Sequence, residues 1–219
     1  MSPSRDSNER AAGKRRVPQQ SRSIERVERI LDTAARLVVA EGVDALTTRG
    51  VAELAEVPVA SLYQYFADKD EILLALVERD VAEMDAQVST DLGMLEVLSV
   101  GSIVETTMRA FVKVYLRRPS FVVIWLRGRT NTAINELCRA HNKQVAADLF
   151  RFARAAGLVR PGTRRLHAEL AVEVGDRVFQ LAFETRIRGD QVVVDEGIEL
   201  VRINLERHAS PAGLEGVRP

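Results

Sequence analysis

The stretch VAELAEVPVASLYQYF, Val51–Phe66, constrains the fold most. Val51, Ala52, Leu54 and Ala55 recur at helical spacing, and Val57-Pro58 then interrupts them. Proline lacks an N–H and disfavours helix at the residue before it, yet it suits the first turn of a new helix. The pattern therefore predicts a helix over Thr47–Glu56, capped by Thr47, and a short third helix from Pro58 to about Tyr65. Two short helices joined by a tight break form a helix-turn-helix, whose second helix fits a DNA major groove.

The flanking sequence continues in the helical period. Ile24, Val27, Leu31, Ala34 and Val38 define a first helix from Ser23 to Gly42. Asp68 with Glu71 resembles a capping box and opens a fourth helix burying Ile72, Leu73, Leu76, Val77, Val81 and Met84. Further helices are expected near Ile103–Arg117, Phe121–Arg127, Asn131–Ala156, Thr163–Arg188 and Val192–His208. No sustained strand-like alternation and no internal repeat is found. The chain reads as all-α, with about nine helices: an N-terminal three-helix unit and a larger helical domain. The expected boundaries are a disordered basic arm at 1–22, a helix-turn-helix domain at 23–67, a second domain at 68–209 and a disordered tail at 210–219. The arm carries Arg5, Arg10, Lys14, Arg15, Arg16 and Arg22 against Asp6 and Glu9. It reads equally as a solvated tail or as a DNA-contacting arm.

Composition narrows the class. Apolar residues make up 46% of the 219 and charged residues 28%, ordinary for a soluble globular protein. The formal net charge is zero, which neither supports nor excludes a nucleic-acid partner, because the distribution of charge decides that. The single Cys138 rules out an intramolecular disulfide and an all-cysteine metal site. The N-terminus lacks the apolar core of a signal peptide, and the longest apolar run, Phe121–Leu126, is far short of a membrane span. A cytoplasmic protein without cofactor, metal or membrane partner is expected.

In the third helix Leu62 and Phe66 are four apart and share the inward face. Val59, Ala60, Ser61, Tyr63 and Gln64 are left to face outward. An exposed tyrosine packs its ring on sugar and donates its hydroxyl to phosphate. Gln64 can read an adenine edge, and Val59 and Ala60 can touch a thymine methyl. Charge comes from Arg49 and Lys69, and a helix start at Thr47 and Thr48 attracts phosphate. The segment TTRGVAELAEVPVASLYQYFADKDEI resembles the TetR family of bacterial transcriptional regulators over roughly residues 24–75, through Thr47, Ala52, Ala55, Val57, Leu62, Tyr63, Tyr65, Phe66 and Lys69. Glu56 departs from the family's usual turn glycine, and Pro58 from its frequent capping serine. The resemblance implies that Thr48, Arg49, Tyr63, Tyr65 and Lys69 hold the DNA backbone and that Val59, Ala60, Ser61 and Gln64 face bases. Tyr65 packed on the fourth helix and Ser61 as a capping residue are the alternatives.

On a helical wheel of Thr163–Arg188, Glu169, Glu173, Asp176, Arg177, Gln180 and Glu184 gather in one polar arc. Apolar residues cover roughly two-thirds of the circumference, too wide for a surface helix in a monomer. The final helix has Val194, Ile198, Val201 and Leu205 in phase, with Leu200 and Ile203 outside that stripe. Two helices from each of two subunits would form a four-helix bundle, which the resemblance also implies. A helix buried deeply within a monomer is the alternative. The resemblance further implies a ligand cavity. Phe111, Tyr115, Phe121, Trp125, Arg127, His141, Phe150 and Phe179 are its candidate lining, although each reads more readily as plain core. Arg127 and Arg129 would meet a carboxylate or reach solvent. Cys138 and His141 stand one turn apart, but no third orienting group is legible. The function expected is a non-enzymatic, ligand-responsive homodimeric regulator. It would act as a repressor, bind a double-stranded pseudo-palindromic operator, and be released by an unidentified small molecule. A DNA-binding protein without an effector, or a helical enzyme using the cavity, are the other classes.

Overall fold

The computed structural model describes residues 19–127 and 131–218. Among them ten helices and no strand are found, so the expected all-α class holds with one helix more than anticipated. Helix α1 is Gln19–Glu41, α2 Thr48–Leu54, α3 Val59–Leu62, α4 Lys69–Gly93 and α5 Val100–Arg117. Helix α6 is Pro119–Phe121, continued by a looser π-helical turn over Val122–Arg127. Then come α7 Thr132–Ala155, α8 Leu166–Ala182, α9 Gln191–Glu206 and α10 Pro211–Glu215. None of these helices is long and apolar enough to cross a membrane. Most of the expected basic arm lies outside the described residues. Arg22 does not, and it belongs to α1, which begins four positions ahead of Ser23.

Capping follows local chemistry. The Thr47 hydroxyl accepts from the Gly50 N–H at 3.1 Å, so Thr47 caps α2 as expected. Asp68 accepts from the Glu71 N–H at 3.0 Å, and the Glu71 carboxylate accepts in return from the Ala67 N–H at 2.6 Å. On α4 the residues Ile72, Leu73, Leu76, Val77 and Met84 are buried, and Val81 is half-buried.

Three expectations are corrected. Helix α8 ends at Ala182, six residues before Arg188. The Asp190 N–H donates back to the Ala182 carbonyl at 2.8 Å, and Phe183 turns fully into the core. Helix α3 is shorter than expected, four residues followed by tight turns through Tyr65. The tail expected to be disordered is ordered through Arg218. Ser210 caps α10 with Pro211 in its first turn, and Leu98 and Val217 exchange backbone hydrogen bonds of 2.7 and 2.9 Å. Gly213 sits so close to Leu158 that an added Cβ would stand 1.9 Å from its carbonyl oxygen.

One continuous apolar cluster runs from Ile30 on α1 through α4 and the aromatic residues of α5 and α6 to Val201 on α9. Helix α4 is the shared element, packing on α1 at one end and on α5 and α7 at the other. Helices α8 and α9 pack against each other through Gly197, where a Cβ would stand 2.2 Å from Val178 Cγ1.

A charge cluster lies where α1, α4 and α5 meet. Arg79 on α4 pairs with Asp32 at 2.8 Å and Glu28 at 3.1 Å on α1. Arg118 pairs with Glu83 at 2.6 Å. Between them the Asp80 carboxyl is fully buried, 3.7 Å from both Arg79 Nε and Arg118 Nε, too far for a hydrogen bond.

Candidate nucleic-acid interface and cavity

The turn between α2 and α3 is made by Ala55–Pro58, with Glu56 at φ 53°. Glu56 is the only non-glycine residue in the left-handed region among the described residues. The turn therefore has the geometry that glycine usually supplies, at a strain of about 1 kcal/mol. Leu62 and Phe66 are buried beneath α3, as their spacing required. Val59, Ala60, Tyr63 and Gln64 are exposed, and Ser61 is half-buried.

The two tyrosines have different surroundings. Tyr63 is 52% exposed, and its hydroxyl lies 3.1 Å from Thr48 Oγ1, tying the end of α3 to the start of α2. Tyr65 is half-buried against the core, and its hydroxyl lies 3.0 Å from Ser23 Oγ on α1. Its tether is thus to α1 rather than α4. Nothing in the spacing singled out Ser23 as that partner. Thr47 and Arg49 are exposed at the α2 start, and Lys69 is half-buried at the α4 start. All ten residues expected at the interface fall within one segment, with an outward face that is polar or small and carries few charges.

The second domain holds a partly open cavity in which about 110 Å³ is open to the centre of a water-sized sphere. Of the eight expected lining residues, Phe111, Tyr115, Trp125, Phe150 and Phe179 line it. The other three do not. Phe121 lies behind Trp125 and Tyr115, with ring centroids 5.0 and 5.6 Å away. Arg127 is exposed, and its Nε donates to the Phe183 carbonyl at 2.8 Å. His141 packs on the far edge of Trp125, its ring centroid 5.7 Å from the indole. His141 Nε2 lies 2.9 Å from Asp85 Oδ1, while its Nδ1 is buried without a hydrogen-bond partner and so does not engage Cys138. The two-membered nucleophile and base arrangement that catalysis would need is not formed there. Among the described residues no group of histidine, cysteine and carboxylate side chains could hold a metal ion.

The polar groups of the cavity were not legible in the sequence. Asp176, on the polar arc of α8, is 7% exposed and faces the cavity. It accepts from Gln180 Nε2 at 2.9 Å and from the Trp125 indole N–H at 3.4 Å. Asn142 and Thr107 are also buried in the wall. At the other end His167 and His208 stack at 3.8 Å between centroids. Burial, then the neighbouring His167, Arg207 and Arg160, push the His208 imidazole below its ordinary value. A polar residue on an amphipathic helix reads as solvent-facing until the partner helices are placed, which is why Asp176 was missed.

Apolar side chains remain outside this core. Leu166, Leu170, Val174 and Leu181 on α8 and Val192, Leu200 and Ile203 on α9 are exposed in the single chain.

Residues 30–76 match the family model "Bacterial regulatory proteins, tetR family". The chain is 38% identical over 63 residues to the HTH-type transcriptional repressor KstR of Mycolicibacterium smegmatis, covering 29% of this chain and 31% of that protein. The match thus spans about a third of that relative's length. Similarity to the HTH-type transcriptional regulator YvkB of Bacillus subtilis is lower, 23% over 189 residues, but covers 78% of this chain and 96% of that one. Among solved structures, a TetR-family transcriptional regulator from Streptomyces coelicolor superposes with a TM-score of 0.67 at 27% identity, covering 84% of this chain and 99% of that one.

Proposed function

Since the chain belongs to the TetR family, we propose that it is a homodimeric, ligand-responsive transcriptional repressor without catalytic activity. The observation that carries this reading is the outward face of α3. Val59, Ala60 and Gln64 stand exposed beside Tyr63, and the Tyr63 hydroxyl is already aligned on Thr48. Small side chains let the helix approach base edges, while Tyr63, Thr48, Arg49 and Lys69 engage phosphate and sugar. Tyr65 acts first by bracing α3 on α1 through Ser23.

Dimerisation through α8 and α9 is supported by their exposed leucines, isoleucine and valines, which a second copy would cover. Two α3 helices would then read an inverted repeat about one DNA turn, or a multiple of it, apart. The small molecule would occupy the cavity beneath α4, which also carries the DNA-binding unit. It releases DNA only if it binds the non-operator conformation more tightly than the operator-bound one. The repressor sign follows the relative named as a repressor, whose similarity covers this segment.

Capture of sheared genomic DNA by the purified protein at physiological salt tests the reading. Recovery of a few fragments sharing an inverted repeat is expected. Broad recovery that vanishes as salt rises would mean phosphate binding alone and would overturn it.

A further inference from the structure

The cavity's wall is informative about what it accepts. Its lining positions on α5 run from Val100 to Tyr115, about 22 Å of helix at 1.5 Å per residue. Most of the wall is aliphatic or aromatic, so the space along this length is mainly apolar. Among the described residues no lysine or arginine lines it. Arg160, a neighbour of His208, donates its Nε to the Ala209 carbonyl at 2.9 Å. The one carboxylate in the wall, Asp176, holds Gln180 and Trp125. His208 stacks on His167 at the end of the wall, and burial with the neighbouring His167, Arg207 and Arg160 lowers its pKa. An anion entering here would surrender its hydration and find no lysine or arginine in the wall in return.

Thr107 supplies the complementary observation. It is 6% exposed, it lines the cavity midway along α5, and its Oγ1 has no hydrogen-bond partner. A helical threonine commonly gives its hydroxyl to the carbonyl one turn back. Here that bond is absent, and a buried hydroxyl left unpaired carries a desolvation cost that a bound polar group would relieve.

We propose that the cavity binds an elongated, uncharged, mainly apolar molecule bearing a hydrogen-bonding group that engages the Thr107 hydroxyl, and that it discriminates against carboxylates of the same length. This rests on reading the cavity as the effector site. Specificity comes from two sources: the match of length and apolarity to the wall, and the absence of any lysine or arginine from it to compensate an anionic head.

The chain has a single tryptophan, Trp125, and it lines the cavity, so its emission reports occupancy directly. The full chain at pH 7.5 would be titrated with decan-1-ol and, separately, with decanoate, both below micelle formation. The expected result is a saturable change with decan-1-ol at a Kd at least tenfold below that for decanoate. Thr107→Val should weaken decan-1-ol binding three- to tenfold, and Thr107→Ser should restore it, with helical content unchanged in both. Decanoate binding as tightly as the alcohol, or Thr107→Val binding the alcohol as well as the unaltered chain, would overturn the ligand class while leaving the cavity as a binding site. Saturation by neither probe would overturn both the class and the reading on which it rests.

Discussion

Thr48 Oγ1 and Tyr63 Oη lie 3.1 Å apart across the helix-turn-helix, joining the first residue of α2 to the residue that ends α3. The bond is on the exposed side, so its worth to stability is small, about 0.5–1 kcal/mol. Its weight is positional, because it fixes where the Tyr63 hydroxyl can meet a phosphate. Tyr63→Phe should therefore weaken binding to all DNA sequences by a similar factor, with melting nearly unchanged. Binding isotherms on matched and unmatched duplexes check this; loss confined to one sequence would contradict it.

The turn residue Glu56 holds φ 53° without being glycine. Glu56→Gly should relieve that strain and raise stability by up to about 1 kcal/mol, less the entropy glycine adds to the unfolded chain. Urea denaturation measures it. A loss of stability would mean that the Glu56 side chain contributes more than its exposed position indicates.

Asp80 makes the junction of α1, α4 and α5 sensitive to pH. Burial pushes its carboxyl up to about 6, against the pull of Arg79 and Arg118. A carboxyl whose folded pKa lies above its unfolded one favours the fold below about pH 4, and that contribution is lost as pH rises through 6. The swing is about 3 kcal/mol for a shift of about two units. Asp80→Asn should remove it, so the variant gains on the unaltered chain by up to that amount between pH 4 and pH 7.5. Denaturation at the two pH values compares them, and parallel profiles would show that Asp80 keeps an ordinary pKa.

The exposed face of α8 and α9 bears on assembly. Leu200 is 57% and Ile203 51% exposed in the single chain, while Val194, Ile198 and Val201 on the opposite side of α9 are buried. Leu200→Glu leaves the inner stripe intact and places a charge where the partner would pack. Sedimentation should show the monomer mass, with helical content unchanged and inverted-repeat binding lost. A dimer of undiminished affinity would move the interface elsewhere.

The N-terminal unit was largely legible because local rules decide it. Thr47 and Asp68 cap, Pro58 breaks, and the four-residue offset of Leu62 and Phe66 sets which face is buried. The second domain was legible as helices but not as a site. Asp176 and Asn142 turn inward only because α7 and α8 pack on each other and share a cavity with α5, a non-local arrangement that a wheel of one helix does not contain. The same holds for Arg127, whose charge is directed to the Phe183 carbonyl outside the cavity. The ordered tail had a local signal, Ser210-Pro211, but its fixation depends on Leu98 and Leu158, more than fifty residues upstream in sequence.

Reading of DNA by a dimer through the outward face of α3 can be measured by selecting ligands from a random-sequence duplex pool at physiological salt, in parallel with the unaltered chain and Gln64→Ala. The unaltered chain should enrich one inverted repeat. Gln64→Ala should keep its spacing and lose preference at one base position in each half, at about 1–3 kcal/mol per position. No enrichment, or an identical preference from the variant, would contradict the assignment of that face.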